Sequence, residues 1–170
     1  MKFSGNEGGS WMSYSADSSE KGARAELSRI LNQQIFLHFL DLEVKRARRY
    51  QNFFCILILE LVQHSNRDNS SGLHTCYQQL SHLLREELRE SDILGSLGEN
   101  KLAALLPYAD ASAGGQARSH FEGSLKYYDF EQEGYKVRIE QICFPLDGTD
   151  TTDLIKRIIG PEDTISPSHT

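Results

Sequence analysis

Two short segments of this 170-residue chain carry the polar side chains best suited to bind a ligand. The first is Arg89-Glu90-Ser91-Asp92, in which two residues separate a guanidinium from a carboxylate. A guanidinium donates paired hydrogen bonds to a phosphate or to a guanine edge, and a carboxylate accepts from N–H groups. Residues of these two types can therefore take part in binding a polar ligand. The same spacing also fits a solvated charge pair that caps a helix end.

The second segment is Ser91–Pro107, which predicts a hairpin. Apolar residues on either side indicate two strands, and the polar run between them, Gly98-Glu99-Asn100-Lys101, indicates a tight turn. Arg89 lies nine residues before Gly98, so the charged pair directly precedes this hairpin.

The remaining elements follow from hydrophobic periodicity. Apolar residues at helical spacing predict four helices, and two apolar runs predict further strands, the first of them buried on both faces. The order is helix, strand, helix, hairpin, helix, strand, helix, which predicts an α+β sandwich around one central mixed sheet flanked by helices. The predicted helices are Gln33–Tyr50, Leu73–Arg89, Ala111–Leu125 and Thr152–Ile159, and the strands outside the hairpin are Phe53–Val62 and Tyr135–Phe144.

Composition limits the domain organisation and the partners. We predict one domain over residues 23–160, with a disordered leader or linker at residues 1–22 and a disordered tail at residues 161–170.

The net charge of −6 provides no basic surface for nucleic acid. There is no apolar segment long enough to span a membrane and no signal-peptide pattern, so we predict a cytoplasmic protein. No histidine spacing suggests a metal site, and we expect no cofactor.

Three cysteines are too few and too scattered to predict a disulfide framework. Cys55 and Cys143 lie inside apolar strand-like runs. We therefore predict that both are buried thiols in a reducing compartment.

Four blocks of the chain, in this order, resemble the GGDEF (diguanylate cyclase) family of bacterial signalling domains. Arg46-Ala47-Arg48-Arg49-Tyr50 resembles the end of the family's first helix, and Ile56–Val62 resembles its buried strand. Arg89–Pro107 resembles the inhibitory-site motif and the signature hairpin, and Val137–Gly148 resembles a later strand and turn. The resemblance covers residues 31–159 and implies the family's nucleotidyl-cyclase-like fold.

The signature itself departs from the family. Where the family has Gly-Gly-Asp/Glu-Glu-Phe, this chain has the degenerate signature Gly98, Glu99, Asn100, Lys101 and Leu102. The family's two metal-binding carboxylates correspond to Glu60 and Asn100, and an ammonium, Lys101, stands beside them. A lysine about 4 Å from a dication, at an effective dielectric of about 20, is repelled by on the order of 8 kcal/mol. The resemblance therefore implies a non-catalytic domain without bound metal. Glu60 itself is expected to meet solvent or a nearby arginine.

The Arg-x-x-Asp motif is retained. In the family this motif binds cyclic di-GMP as an inhibitory site, so the resemblance implies a receptor that uses Arg89 and Asp92. The family's ligand also needs an arginine from elsewhere, for which Arg118 is the candidate, and it can pair two domains into a homodimer. The alternative is a protein-interaction or dimerisation module that binds an unidentified signalling protein and no nucleotide.

Overall fold

Four helices and four strands lie along residues 29–65 and 70–160, the part of the chain that the computed structural model describes. The helices are α1 (Gln33–Tyr50), α2 (Ser70–Glu87), α3 (Ala111–Leu125) and α4 (Thr151–Ile159), and the strands are β1 (Phe54–Gln63), β2 (Ile93–Ser96), β3 (Lys101–Pro107) and β4 (Tyr135–Phe144). All belong to the unit that begins at Leu31. The predicted element order is confirmed. The predicted leader and tail and loop residues 66–69 lie outside the described residues.

Polar side chains fix where three of the helices begin. In each case a side-chain oxygen of the residue before the helix accepts a hydrogen bond from the N–H three residues later, at 2.8 to 2.9 Å. These contacts satisfy N–H groups that the first turn of a helix leaves unpaired. The capping residues are Asn32, Asp110 and Asp150.

The central sheet has the strand order β2-β3-β1-β4, and its three strand pairs are antiparallel. The crossovers through α2 and α3 join strands that point the same way, but each crossover passes over the strand between them. Parallel pairing is limited, among the described residues, to one bridge between Leu31 and Gly95. The α+β class with a central sheet flanked by helices is confirmed. The expected mixed pairing is corrected to antiparallel pairing of all four strands.

β1 runs through the middle of the core, and its residues alternate between two helical layers. Phe54, Ile56 and Ile58 share a buried cluster with the apolar faces of α1 and α4. The intervening side chains point to the layer of α2 and α3, where Cys55 Sγ lies 3.2 Å from Asp110 O at the start of α3. The prediction of a strand buried on both faces is confirmed, because Phe54 to Leu59 are all buried.

β2 and β3 form the predicted hairpin, with pairs from Ile93↔Leu105 to Ser96↔Leu102. We call the end at residues 97–100 its turn end, and the end where β2 begins and β3 finishes its open end. The length of the paired strands separates these two ends, so they lie at opposite ends of the strands. The Arg-x-x-Asp motif and the degenerate signature therefore lie at opposite ends of the hairpin.

The prediction of two unlinked buried thiols is wrong for Cys55 and Cys143. These residues are register partners on β1 and β4, with Cα atoms 4.2 Å apart, and their sulfurs are joined as a disulfide. Residue spacing along the chain contains no information on this register, so the pairing could not be read from the sequence. Cys76 is buried and unpaired, and burial raises the pKa of its thiol.

Candidate functional site

The degenerate signature occupies the turn end of the hairpin. Leu97 N donates to Lys101 O at 2.9 Å and closes the turn. Gly98 has φ of 147°, a conformation that side-chain-bearing residues rarely adopt, so this glycine is required by the backbone. Glu99 is exposed, whereas Leu102 is fully buried on β3. The turn is thus anchored by its glycine and by the leucine that follows it.

Asn100 ties this turn to the end of β1. Its main-chain oxygen accepts from Leu61 N at 2.8 Å, and its side-chain Nδ2 donates to Leu61 O at 3.2 Å. The main-chain N–H and C=O groups of Leu61 are therefore both hydrogen-bonded to Asn100. In this arrangement the Asn100 carboxamide serves as a structural link, with its donor group directed into the protein.

Glu60 lies opposite a basic residue on each neighbouring strand. It is the register partner of Lys101 on β3 and of Arg138 on β4. Its carboxylate contacts the Arg138 guanidinium, while only 20% of the Glu60 side chain is exposed. The prediction that Glu60 meets solvent or a nearby arginine is confirmed.

The donor set at this end does not fit a pair of divalent cations. Such cations need several anionic or carbonyl oxygens. The positions that correspond to the family's acidic residues hold the Glu60 carboxylate, already paired with Arg138, the Asn100 carboxamide, which donates to Leu61, and the ammonium of Lys101. Within residues 29–65 and 70–160 no group of three acidic, histidine or cysteine side chains is placed to hold a metal ion.

The Arg-x-x-Asp motif occupies the open end of the hairpin, between α2 and β2. Asp92 Oδ2 accepts from Arg89 N at 2.9 Å, and Asp92 N donates to Arg89 O at 3.0 Å. This reciprocal pair closes the loop and fixes the Asp92 carboxylate against the main chain of Arg89. Burial raises the pKa of the Asp92 carboxyl, while the hydrogen bond from Arg89 and the charge of Arg89 oppose that rise.

The two side chains line one cleft of about 540 Å³. The loop forms one wall, the end of β3 and the residues after it form the floor, and α3 forms the facing wall. Arg89 is exposed, and its guanidinium makes no ion pair within 4.0 Å with any described residue. The cleft is therefore a concave surface with an available cation beside a half-buried carboxylate. Its lining includes Arg89, Asp92, Pro107, Tyr108, Gln116, His120 and Phe121.

Tyr108 and His120 are cleft residues that the sequence did not suggest. Tyr108 has φ of 59°, an uncommon conformation for a residue with a side chain, and its side chain is 61% exposed. His120 contacts the Glu87 carboxylate, which also accepts from Ser124 Oγ at 2.9 Å. Glu87 and His120 belong to different helices, so only the packing of α2 against α3 brings them together. Spacing along the chain provides no signal for either residue.

Arg118 lies on α3 but is not among the residues that line the cleft. Its Nε donates to Glu122 Oε1 at 3.0 Å, an exposed pair one helical turn apart. The structure therefore brings Arg89 and Asp92 together and places Arg118 beside Glu122.

Comparison with known proteins identifies the family. The model of the diguanylate cyclase GGDEF domain matches residues 24–158, so the chain belongs to the GGDEF family. No protein with a curated description matches it. Over the described residues no helix is long and apolar enough to cross a membrane.

Solved structures share the fold at low sequence identity. A diguanylate cyclase protein from Thermotoga maritima is 15% identical, covers 83% of this chain and 99% of its own, and has a TM-score of 0.65. The GGDEF domain of YfiN (TpbB) from Pseudomonas aeruginosa is 18% identical over 76% of this chain and 85% of its own, with a TM-score of 0.67. The GGDEF domain of DgcB from Caulobacter crescentus, solved in complex with c-di-GMP, is 12% identical over 76% and 81%, with a TM-score of 0.58.

Proposed function

We propose that this GGDEF domain is a non-catalytic receptor for cyclic di-GMP that binds its ligand in the cleft of Arg89 and Asp92. The observation that carries the proposal is that the loop closed by these two residues brings a cation and a carboxylate to the lining of one cleft. The complex of the DgcB GGDEF domain with c-di-GMP supports the choice of ligand.

The chemistry of the cleft matches the groups of a cyclic dinucleotide. The Arg89 guanidinium pairs with a phosphate or with the O6 and N7 atoms of a guanine. Asp92 uses one carboxylate oxygen within its own loop, so its second oxygen is left to accept from the guanine N1–H or amino group. Tyr108 presents an exposed aromatic ring for a base to stack on.

Arg118 is proposed as the second arginine of the receptor. It must leave Glu122 to reach a ligand, and an exposed pair of this kind is worth only about 0.3–0.5 kcal/mol. In a ligand-linked pair of domains, Arg118 of one domain would contact the dinucleotide bound in the cleft of the other. Arg118→Ala should then weaken binding less than Arg89→Ala, since Arg118 must first give up its existing partner.

The absence of cyclase activity is a separate part of the proposal. It rests on the donor set of the turn end, where Asn100 and Lys101 stand at the positions of acidic residues. We expect the purified protein with GTP and Mg²⁺ or Mn²⁺ to form no cyclic di-GMP above a no-enzyme control, measured by mass spectrometry. The variant Glu99→Gly/Asn100→Asp/Lys101→Glu should also fall short of full activity, because Glu60 stays paired with Arg138. Product from the unmodified protein would disprove this part.

A thermal-shift titration tests the receptor directly. A ligand that binds only the folded state at one hundred times its dissociation constant stabilises it by about 2.7 kcal/mol. We therefore expect cyclic di-GMP to raise the melting temperature of the unmodified protein and of Arg49→Ala, and to raise that of Arg89→Ala by much less. Arg49 is a suitable control because it is an exposed arginine on α1, on the other face of the sheet. Equal shifts in both variants would disprove the assignment of the site.

A nucleotide-independent interaction module is the second candidate. Its supporting observation is an exposed apolar stripe on α1 at helical spacing, formed by Ile35, Phe39 and Leu42, which are 43%, 39% and 43% exposed. An unidentified signalling protein would bind there. The absence of any thermal shift at millimolar cyclic di-GMP would favour this candidate over the receptor.

A further inference from the structure

β4 is an edge of the sheet, and its outer side carries no strand among residues 29–65 and 70–160. Alternate residues of an antiparallel strand direct their main-chain N–H and C=O groups to opposite sides. Cys143 O accepts from Asp147 N at 2.7 Å, and Cys143 N donates to Asp147 Oδ2 at 2.8 Å. Tyr135 N donates to Phe130 O at 3.0 Å. Both residues therefore point their main-chain groups away from β1, and so do the other odd-numbered residues of β4.

The exposed main-chain groups lie between these two anchored positions. They belong to Val137, Ile139 and Gln141, and no described residue outside the sheet hydrogen-bonds to their main-chain atoms. A row of such groups is a template on which another strand can pair. The edge is thus open over the centre of the strand.

The side chains beside this row carry alternating charge. Lys136, Arg138 and Glu140 are all exposed and share one face of β4. Charged side chains on an edge strand usually discourage pairing with another strand. The order of the charges along β4 therefore decides which pairing register is favourable. If two copies pair antiparallel with Ile139 opposite Ile139, Arg138 of each copy faces Glu140 of the other. Centring the pair on Arg138 or on Glu140 would instead set two like charges directly opposite each other.

We propose that a second copy of this chain pairs along β4, antiparallel and centred on Ile139, so that one sheet runs through both copies. In this register Val137 faces Gln141, and each of these pairs exchanges both main-chain hydrogen bonds. Arg138 and Glu140 meet at the closely spaced positions between them. Arg138 is already held on this face by Glu60, so its guanidinium lies between two carboxylates in the pair. This interface does not depend on cyclic di-GMP.

Sedimentation equilibrium of the full chain without ligand tests the proposal. We expect a concentration-dependent dimer whose dissociation constant rises at least tenfold in Glu140→Arg, because Arg138 then faces an arginine. The double variant Arg138→Glu/Glu140→Arg reverses both charges and should restore the dimer. Val137→Pro removes one outward N–H without touching the ladder to β1, and it should also weaken the dimer. Lys136→Ala is the control, since its neighbour across the pair is the apolar Ile142, and it should leave the dimer unchanged.

Circular dichroism on each variant distinguishes a loss of pairing from a loss of fold. A monomer at 100 µM unmodified protein would overturn the proposal. So would a dimer that Glu140→Arg and Val137→Pro leave intact, because it would form through another surface. A folded double variant that stays monomeric would overturn the register.

Discussion

The two ends of the β2–β3 hairpin place their polar side chains in opposite situations. At the turn end, Asn100 is bonded to Leu61 and Glu60 is paired with Arg138, so the polar groups are used within the protein. At the open end, Asp92 fixes the loop with one oxygen, and Arg89 has no ion-pair partner among the described residues. The turn end therefore uses Asn100 and Glu60 in contacts within the protein, whereas the open end leaves the Arg89 guanidinium accessible. The proposed receptor function depends on this difference.

The largest expected effect concerns the hairpin that carries both ends. Leu105 is fully buried on β3, and Leu105→Asp places an unpaired carboxylate in the core. We expect it to destabilise the protein by more than about 3 kcal/mol in urea unfolding. Glu99→Ala, on the exposed turn of the same hairpin, should change stability by less than about 0.5 kcal/mol. Equal changes for the two variants would contradict the assigned strand and turn.

The next prediction tests whether the turn end is structural. Asn100→Asp replaces the Nδ2 donor with an oxygen that faces Leu61 O, so a hydrogen bond becomes a repulsion. We expect a loss of about 1–3 kcal/mol in the free energy of unfolding. Glu99→Gln replaces a carboxylate with a carboxamide at the exposed neighbouring position, and it should leave the free energy of unfolding almost unchanged. If Asn100→Asp is neutral as well, the contact with Leu61 does not stabilise the turn.

The smallest expected effect is on the pH dependence of stability at the open end. The pKa of Asp92 is raised in the folded protein, mainly by burial. The folded state therefore holds this proton more strongly than the unfolded chain, and stability falls as the pH rises from about 3.8 through the raised value. Asp92→Asn removes this titration. The stability of the unmodified protein relative to Asp92→Asn should decrease from pH 3.5 to pH 7, and a constant or increasing difference would contradict the buried environment.

The helices and strands can be predicted from the sequence better than the contacts between them. The bounds of α1, α3 and β4 follow from apolar spacing and from capping residues such as Asn32 and Asp110, which are local properties. The disulfide of Cys55 with Cys143 and the pairing of Glu60 with Arg138 depend on the register of β1 against β4. No pattern within either strand specifies that register.

The residues of the candidate site also differ in whether the sequence predicts them. Arg89 and Asp92 are close in sequence, so their pairing in one loop could be anticipated from the motif. Tyr108 and His120 reach the cleft only because β3 ends there and α3 packs against α2. The sequence offers Arg118 as a candidate because it lies on the helix after the hairpin, but the position of its side chain around the helix, beside Glu122, is not evident from the sequence.

Isothermal titration of cyclic di-GMP into the unmodified protein, Arg89→Ala and Arg49→Ala tests the central claim most directly. We expect the unmodified protein and Arg49→Ala to bind with micromolar affinity, about −8 kcal/mol. Loss of one charge-assisted contact in Arg89→Ala should cost roughly 1.5–3 kcal/mol, which is about a ten- to hundredfold weakening. The absence of heat up to millimolar ligand in the unmodified protein, or equal affinity in Arg89→Ala, would contradict the account.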